Sequence, residues 1–382
     1  MTAADVVVAG GGVIGLSIAW ESSLEGLSVI VVDPLDDEGA SWAAAGMLAP
    51  VTEVHYGEER LLKLNLESIR LYPGFAARLN EASGRNCGYV ESGTLVVSRD
   101  ADDNAALDDL FAFQQRLGLD VERLRGRDCR RLEPSLAPST RGGILVRGDH
   151  QVDNRALLGS LRAACERSGV RFVRRRVVRA ELNRGRVSGV RLDDDEDLSC
   201  GALVVAAGAR SGEMEGLPPG ALPPVRPVKG QLLHLRGAPG ERLATHTIRG
   251  LEAYLLVRPD GRVVLGATVE ERGYDERVTA GGVYELLRAG YELVPGITEL
   301  ELVEVSVGLR PGSPDNAPML GAASVDGLII ATGHFRNGIL LAPVTGRTIA
   351  ELLVTSKAPE IIRPFSPQRF ESHPRETARA GA

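Results

Sequence analysis

Four cysteines in 382 residues, Cys87, Cys129, Cys165 and Cys200, are too few and too widely spaced for a disulfide framework or a zinc site. With no C-x-x-C pair among them, they read as incidental buried thiols of a cytosolic protein. The six histidines form no metal-ligand spacing, so no metal is expected. Basic residues are not in excess: 44 Lys and Arg stand against 51 Asp and Glu, a net charge of -7. That balance excludes a nucleic-acid footprint and argues against an anionic membrane surface. The run Arg174, Arg175, Arg176 reads as a solvated strand end. No apolar run reaches the length of a bilayer-spanning helix. The first strand starts at Asp5 or Val6, leaving no room for a signal peptide. There are no repeats of solenoid period, and only 366–382 has the composition of a disordered tail.

What remains is ordinary globular material, 43% apolar and 25% charged, long enough for two to three domains. Residues 5–9 (DVVVA) form an apolar run of the kind buried in parallel sheets. A glycine loop follows at 10–15, then a helix to about 24, then a second buried strand at 28–32. This is a right-handed β-α-β unit. The apolar-to-glycine junction returns at 203–208 (LVVAAG) and 327–333 (GLIIATG), the latter running into a helix at 338–353. Further helices are expected at 61–79, 102–117, 156–168 and 278–293. The proline-rich stretch 218–227 marks a domain crossing. Alternating runs at 230–235, 253–257 and 262–267, separated by turns such as Pro259-Asp260-Gly261, predict an antiparallel sheet. The fold class is α/β: a Rossmann-like doubly wound domain with an inserted antiparallel β-sheet domain. The expected division is 1–90, 145–222 and 306–382 for the first, and 91–144 and 223–305 for the second.

Gly10, Gly12 and Gly15 make G-x-G-x-x-G between a strand and a helix, the context that turns a weak pattern into a dinucleotide fingerprint. The first glycine permits the tight turn, the second lets backbone N–H groups approach a diphosphate, and the third packs helix on strand. The helix N-terminus at Val13 and Ile14 then faces negative charge. Asp33, followed by Pro34, ends the second strand 18 residues after Gly15. A carboxylate there accepts hydrogen bonds from ribose hydroxyls and repels a 2′-phosphate, selecting FAD or NAD over NADP.

Four motifs, 42–50 (WAAAGMLAP), 227–232 (PVKGQL), 308–312 (GLRPG) and 333–343 (GHFRNGILLAP), resemble the D-amino-acid oxidase superfamily and, more narrowly, its glycine oxidases of thiamine biosynthesis. The similarity runs from residue 5 to about 353. It implies an FAD cofactor, with Ala45, Gly46 and Met47 against the flavin and Ala40 and Ser41 nearby. Val177 matches the position that meets the adenine side, and Gly208 ends a strand at the cofactor. The loop Gly333, His334, Phe335, Arg336, Asn337, Gly338, Ile339, Leu340 would wrap the isoalloxazine edge. Gly338 opens a helix whose positive end suits an electron-rich flavin, and His334 reads as a hydrogen-bonded neighbour of the cofactor, not a base. Sarcosine-oxidase relatives attach flavin through a late cysteine, which this chain lacks, so noncovalent FAD is implied.

The resemblance makes Arg310 the arginine that binds the substrate carboxylate, Tyr254 its hydroxyl partner, and Arg336 a second arginine whose backbone carbonyl receives the substrate amine. No general base is needed, only orientation and charge stabilisation. The implied reaction is oxidative deamination of glycine or a similar small amine to glyoxylate, ammonia and hydrogen peroxide, with dioxygen as acceptor and glycine imine passed to thiazole formation. Sarcosine or D-amino-acid oxidation, or a dehydrogenase with another acceptor, are the alternatives. Relatives imply a homo-oligomer, and no membrane or nucleic-acid partner is expected. The sequence departs from the family in having Asp33 for a glutamate, Trp42 before the alanines, and Glu252 where a relative has histidine.

Overall fold

The structure, a computed structural model, describes residues 3–34, 39–238, 240 and 242–370. Its first sheet is built around the strand Ala3–Ala9, whose valines are almost completely buried. Val29–Val32 pairs with it in parallel on one side and Asp197–Val205 on the other. Arg171–Val173 and Leu328–Thr332 extend the parallel order outward. Antiparallel strands Val177–Asn183, Arg186–Leu192 and Met319–Ala322 finish the edges.

The helix Val13–Leu24 lies in the core beneath this sheet, and Trp20 meets Phe75 edge to face at 5.6 Å. Helix Gly338–Thr355 packs so closely on it that a Cβ at Gly346 would lie 2.9 Å from the Ser17 carbonyl oxygen. The expectation that no run could span a bilayer needs correction. Residues Phe335–Thr355 have the length and a mean hydropathy of 1.3, yet 67% of the stretch is buried inside the fold. Its apolar character therefore serves the core between the first helix and helix Glu59–Ser83. The tail expectation is also corrected in part: Pro367–Phe370 form a turn of 3-10 helix with Pro367 buried. Residues 371–382 lie outside those described.

The second sheet has eight strands, in the order Glu301–Gly312, Arg226–Arg236, Arg262–Gly266, Tyr254–Val257, Thr247–Arg249, Thr94–Ser98, Gly142–Val146 and Glu122–Arg125. All neighbours are antiparallel except Thr247–Arg249 beside Thr94–Ser98. One face packs on helix Ala280–Leu293 through Leu233, Ile248, Leu255, Leu265, Leu286 and Leu293. The strand Glu301–Gly312, which spans the expected boundary at 306, lies in this sheet throughout, as does Gly142–Val146, which spans 145. A three-stranded ribbon of Met47–Leu48, His150–Val152 and Tyr89–Val90 stands apart from both sheets. The four cysteines are all buried, and burial pushes the Cys129 and Cys200 thiols up to about 11.

Candidate active site

Local backbone chemistry shapes one end of a cleft of about 1110 Å³. Gly10 has φ of +113°, and an added Cβ would sit 2.4 Å from the Ala206 carbonyl oxygen. At Gly15 an added Cβ would sit 1.9 Å from the Gly10 carbonyl oxygen, so only glycine lets the helix reach the strand. Gly12 caps the helix without a side chain. The Val13 N–H donates to Ser41 Oγ at 3.1 Å, and the Gly11 N–H to Asp33 Oδ2 at 2.6 Å. Gly10, Gly12, Val13, Ile14, Asp33, Pro34, Ala40 and Ser41 line the cleft, and Gly15 packs behind it.

The segment around Ala45, Gly46 and Met47 also lines the cleft and is held by several neighbours. Gly46, with φ of +86°, approaches its neighbour so closely that a Cβ would lie 2.0 Å from the Val152 carbonyl oxygen. Asn154 Nδ2 donates to the carbonyls of Ser41 and Trp42 at 3.0 and 2.8 Å. Arg258 is only 3% exposed. It donates to the Ala45 carbonyl at 2.5 Å and to Gln151 Oε1 at 2.8 Å. Burial pulls its guanidinium down to about 10. Arg155 lies 4.4 Å over the Trp42 ring and pairs with Glu304 at 2.6 Å, tying this segment to the second sheet.

Val177 and Gly208 also line the cleft, as do His334, Phe335, Arg336, Gly338 and Ile339. His334 is buried beside Thr345 Oγ1 at 3.1 Å, and burial lowers its pKa to about 3, so it is neutral. Phe335 takes φ of +47°, a left-handed conformation costing about 1–2 kcal/mol in a non-glycine residue. Gly333, Asn337 and Leu340 do not line the cleft. Gly333 makes the left-handed turn at +74°. Asn337 is the N-cap of the following helix, whose first turn is fixed by Tyr72 and Ser68 hydroxyls on the Ile339 and Leu340 carbonyls at 3.0 and 2.6 Å. The residues present fit a dinucleotide. Glycines whose Cβ would collide, and two helix N-termini without side-chain caps of their own, open on one cleft.

The opposite wall is a sheet face. Cross-strand register sets Arg249 opposite Tyr254, Tyr254 opposite Gly266, Gly266 opposite Leu232 and Leu232 opposite Ser306. Residues directly opposite share a face, and Arg310, four residues beyond Ser306, shares it too. The alternate residues form the core beneath. Two glycines clear room on this face. A Cβ at Gly230 would lie 2.3–2.5 Å from the Arg310 guanidinium, and one at Gly266 would lie 2.5 Å from the Tyr254 hydroxyl. Gly308 lets the sheet approach the alanine segment, where its Cβ would lie 2.8 Å from that of Ala43.

Arg310 donates to the Thr268 and Lys229 carbonyls at 3.1 and 3.3 Å, and among the described residues it has no carboxylate partner. Burial pushes the Tyr254 phenol up to about 12 against the pull of Arg310. Arg336 differs: its Nη2 donates to Glu58 at 2.7 Å, and its Nε lies 3.0 Å from Glu53 Oε2 without hydrogen-bonding alignment. Glu53 also pairs with Arg249, and the two arginines keep its carboxyl below the usual range despite burial. Burial holds His55, also on the cleft, below its ordinary value. Glu252 stands at the rim, paired with Arg99 at 3.2 Å and Arg288 at 3.6 Å.

Tyr254, Arg310 and Arg336 thus meet in one cleft with the dinucleotide fingerprint and the 45–47 segment. Sequence reasoning missed Glu53, Arg249, Arg258 and the clearing glycines. Recognising 247–249 as a strand would have set Arg249 across from Tyr254; nothing local signals Glu53 or Arg258.

Comparison with known proteins agrees with this architecture. The sequence model of the family described as "DAO: FAD dependent oxidoreductase" matches residues 5–352. The "Bifunctional protein ThiO/ThiG" of Synechocystis sp. is 35% identical over 376 residues, covering 97% of this chain and 54% of that protein. The chain therefore spans about half the length of that relative. The "Hydrogen cyanide synthase subunit HcnC" of Pseudomonas aeruginosa is 31% identical over 98% of both chains. The crystal structure of glycine oxidase from Geobacillus kaustophilus superposes with a TM-score of 0.89 at 31% identity, covering 97% of this chain and 99% of that one. A family model, a sequence and a fold that match over nearly the whole length have one meaning: the chain belongs to the DAO family of FAD-dependent oxidoreductases.

Proposed function

We propose that this enzyme oxidises the amine of glycine or a comparably small amino acid, giving glyoxylate, ammonia and hydrogen peroxide with dioxygen as acceptor. One observation carries the reading: Arg310 presents a guanidinium with no carboxylate partner among the described residues, close to Tyr254 and in the cleft that the 45–47 segment also lines. Bound noncovalently by the glycine loop and the 333–340 loop, FAD supplies the two-electron oxidation. None of the four cysteines lines the cleft. Arg310 holds the substrate carboxylate, and the neutral Tyr254 phenol donates a second hydrogen bond to it. Charge-assisted bonds of this kind contribute about 1.5–3 kcal/mol each. The Arg336 carbonyl accepts an N–H bond from the amine in its neutral form. Anchored at both ends, the substrate presents its Cα–H without a general base. The small alanine segment and Ile339 limit side-chain size.

The likeness to a ThiO/ThiG protein supports delivery of glycine imine to thiazole formation. The likeness to HcnC, named as a subunit of a hydrogen cyanide synthase and not as an oxidase, leaves room for a second reading, the same amine oxidation with an acceptor other than dioxygen. The decisive measurement is the visible spectrum of purified protein before and after anaerobic glycine, followed by aerobic peroxide detection. Bleaching with peroxide formation is expected. Bleaching without peroxide selects the second reading, and no bleaching with any small amine overturns both.

A further inference from the structure

The substrate wall carries more positive charge than one carboxylate requires. Arg249, Arg310 and Arg336 all line the cleft. Glu53 lies between two of them, 3.0 Å from Arg336 Nε and in direct contact with Arg249. Glu58 takes the remaining edge of Arg336 at 2.7 Å. Among the described residues Arg249 and Arg336 each lie beside carboxylates, Glu53 and Glu58 in contact and the buried Asp149 acting on Arg249 from behind, whereas the hydrogen-bond partners of Arg310 are carbonyls, and the geometry assigns it the uncompensated charge. The Glu53 side chain is 10% exposed, so its charge is poorly screened by water. Neutral His55 alters nothing at ordinary pH. Glu252 is held at the rim by Arg99 and Arg288.

Resting on the amino-acid reading above, we propose that Glu53 determines specificity by cancelling Arg249 and Arg336, so that the cleft accepts one carboxylate and rejects two. Arg249 stands directly across from Tyr254 on the same face as Arg310. A freed Arg249 would therefore offer a second carboxylate site beside the first. With Glu53 ionised, a second substrate carboxylate meets a like charge in a partly dehydrated cleft, which is strongly unfavourable.

The test uses FAD-loaded enzyme and two ligands that lack an amine, acetate and malonate, titrated by the perturbation they cause in the flavin spectrum. In Glu53→Gln, malonate should gain at least about tenfold over acetate, equivalent to about 1.4 kcal/mol. The double variant Glu53→Gln with Arg249→Gln should lose that gain. An unchanged malonate-to-acetate ratio in Glu53→Gln, or a gain that survives in the double variant, overturns the proposal. Should Glu53→Gln not fold, Arg249→Gln alone decides: Glu53 then outweighs its remaining partner and acetate should bind several-fold more weakly, whereas unchanged acetate affinity overturns the idea. The kcat/KM ratio of iminodiacetate to glycine should follow the malonate ratio. If carboxylate selectivity switches while no amine is oxidised, the proposed reaction falls and the role of Glu53 stands.

Discussion

The two walls of the cleft are built on different principles. The side assigned to the cofactor is made of backbone: glycines at 10, 12 and 15, two helix N-termini, and the carbonyl-clamped segment 45–47. The side assigned to the substrate is made of charged side chains laid across a sheet face and tied by mutual pairing. A backbone wall tolerates change in side chain but not in volume. A side-chain wall is sensitive to charge throughout, and to volume where Gly230 and Gly266 clear it.

Breaking the first wall should have the largest effect. Gly15→Ala puts a Cβ 1.9 Å from a backbone carbonyl oxygen that cannot move. The variant should be purified without flavin, and recovery of a fully yellow protein would sink the diphosphate-loop assignment. On the second wall, Arg310→Ala should leave FAD bound but raise KM for glycine on the order of 10²-fold, from the loss of about 3 kcal/mol of carboxylate binding. Steady-state kinetics on the yellow variant checks this; undiminished turnover at low glycine would refute the anchor.

Arg258 belongs to neither wall's surface but holds the first from behind. Arg258→Met leaves the Ala45 carbonyl and Gln151 without their donor and should cost about 2 kcal/mol in denaturant unfolding. The smallest effect concerns pH. His334 titrates near 3 in the fold and near 6.5 when unfolded. Its stabilisation is complete above pH 6.5 and is lost as pH falls towards 3, because the unfolded chain binds the proton first. Stability should decline by roughly 1 kcal/mol per pH unit across that window. His334→Asn should flatten the slope measured by denaturation at pH 6 and pH 5; an unchanged slope would assign it to other groups.

Legibility in sequence followed the same division. The glycine loop, Asp33 and the helix Val13–Leu24 were readable because their contacts close within some two dozen residues. The strands Thr94–Ser98, Gly142–Val146 and Thr247–Arg249 were not, since each is short and gains its meaning from partners far along the chain. Arg336 was singled out for its backbone carbonyl; the commitment of its guanidinium to Glu53 and Glu58, 283 and 278 residues away, was not legible. Glu53 itself sits in a loop with no motif to mark it. The apolar stretch at 335–355 could be valued only once the helix it packs against was seen.

Sequence alone determined the glycine loop to which we assign the nucleotide, because φ angles that exclude side chains, and helix ends that attract anions, are properties of a few adjacent residues. It also determined, through motif resemblance, that Arg310 and Tyr254 stand together. Only the tertiary structure decided which cations remain available, because charge is neutralised by whatever carboxylate folding brings within about 3 Å, and neither composition nor spacing along the chain encodes that distance.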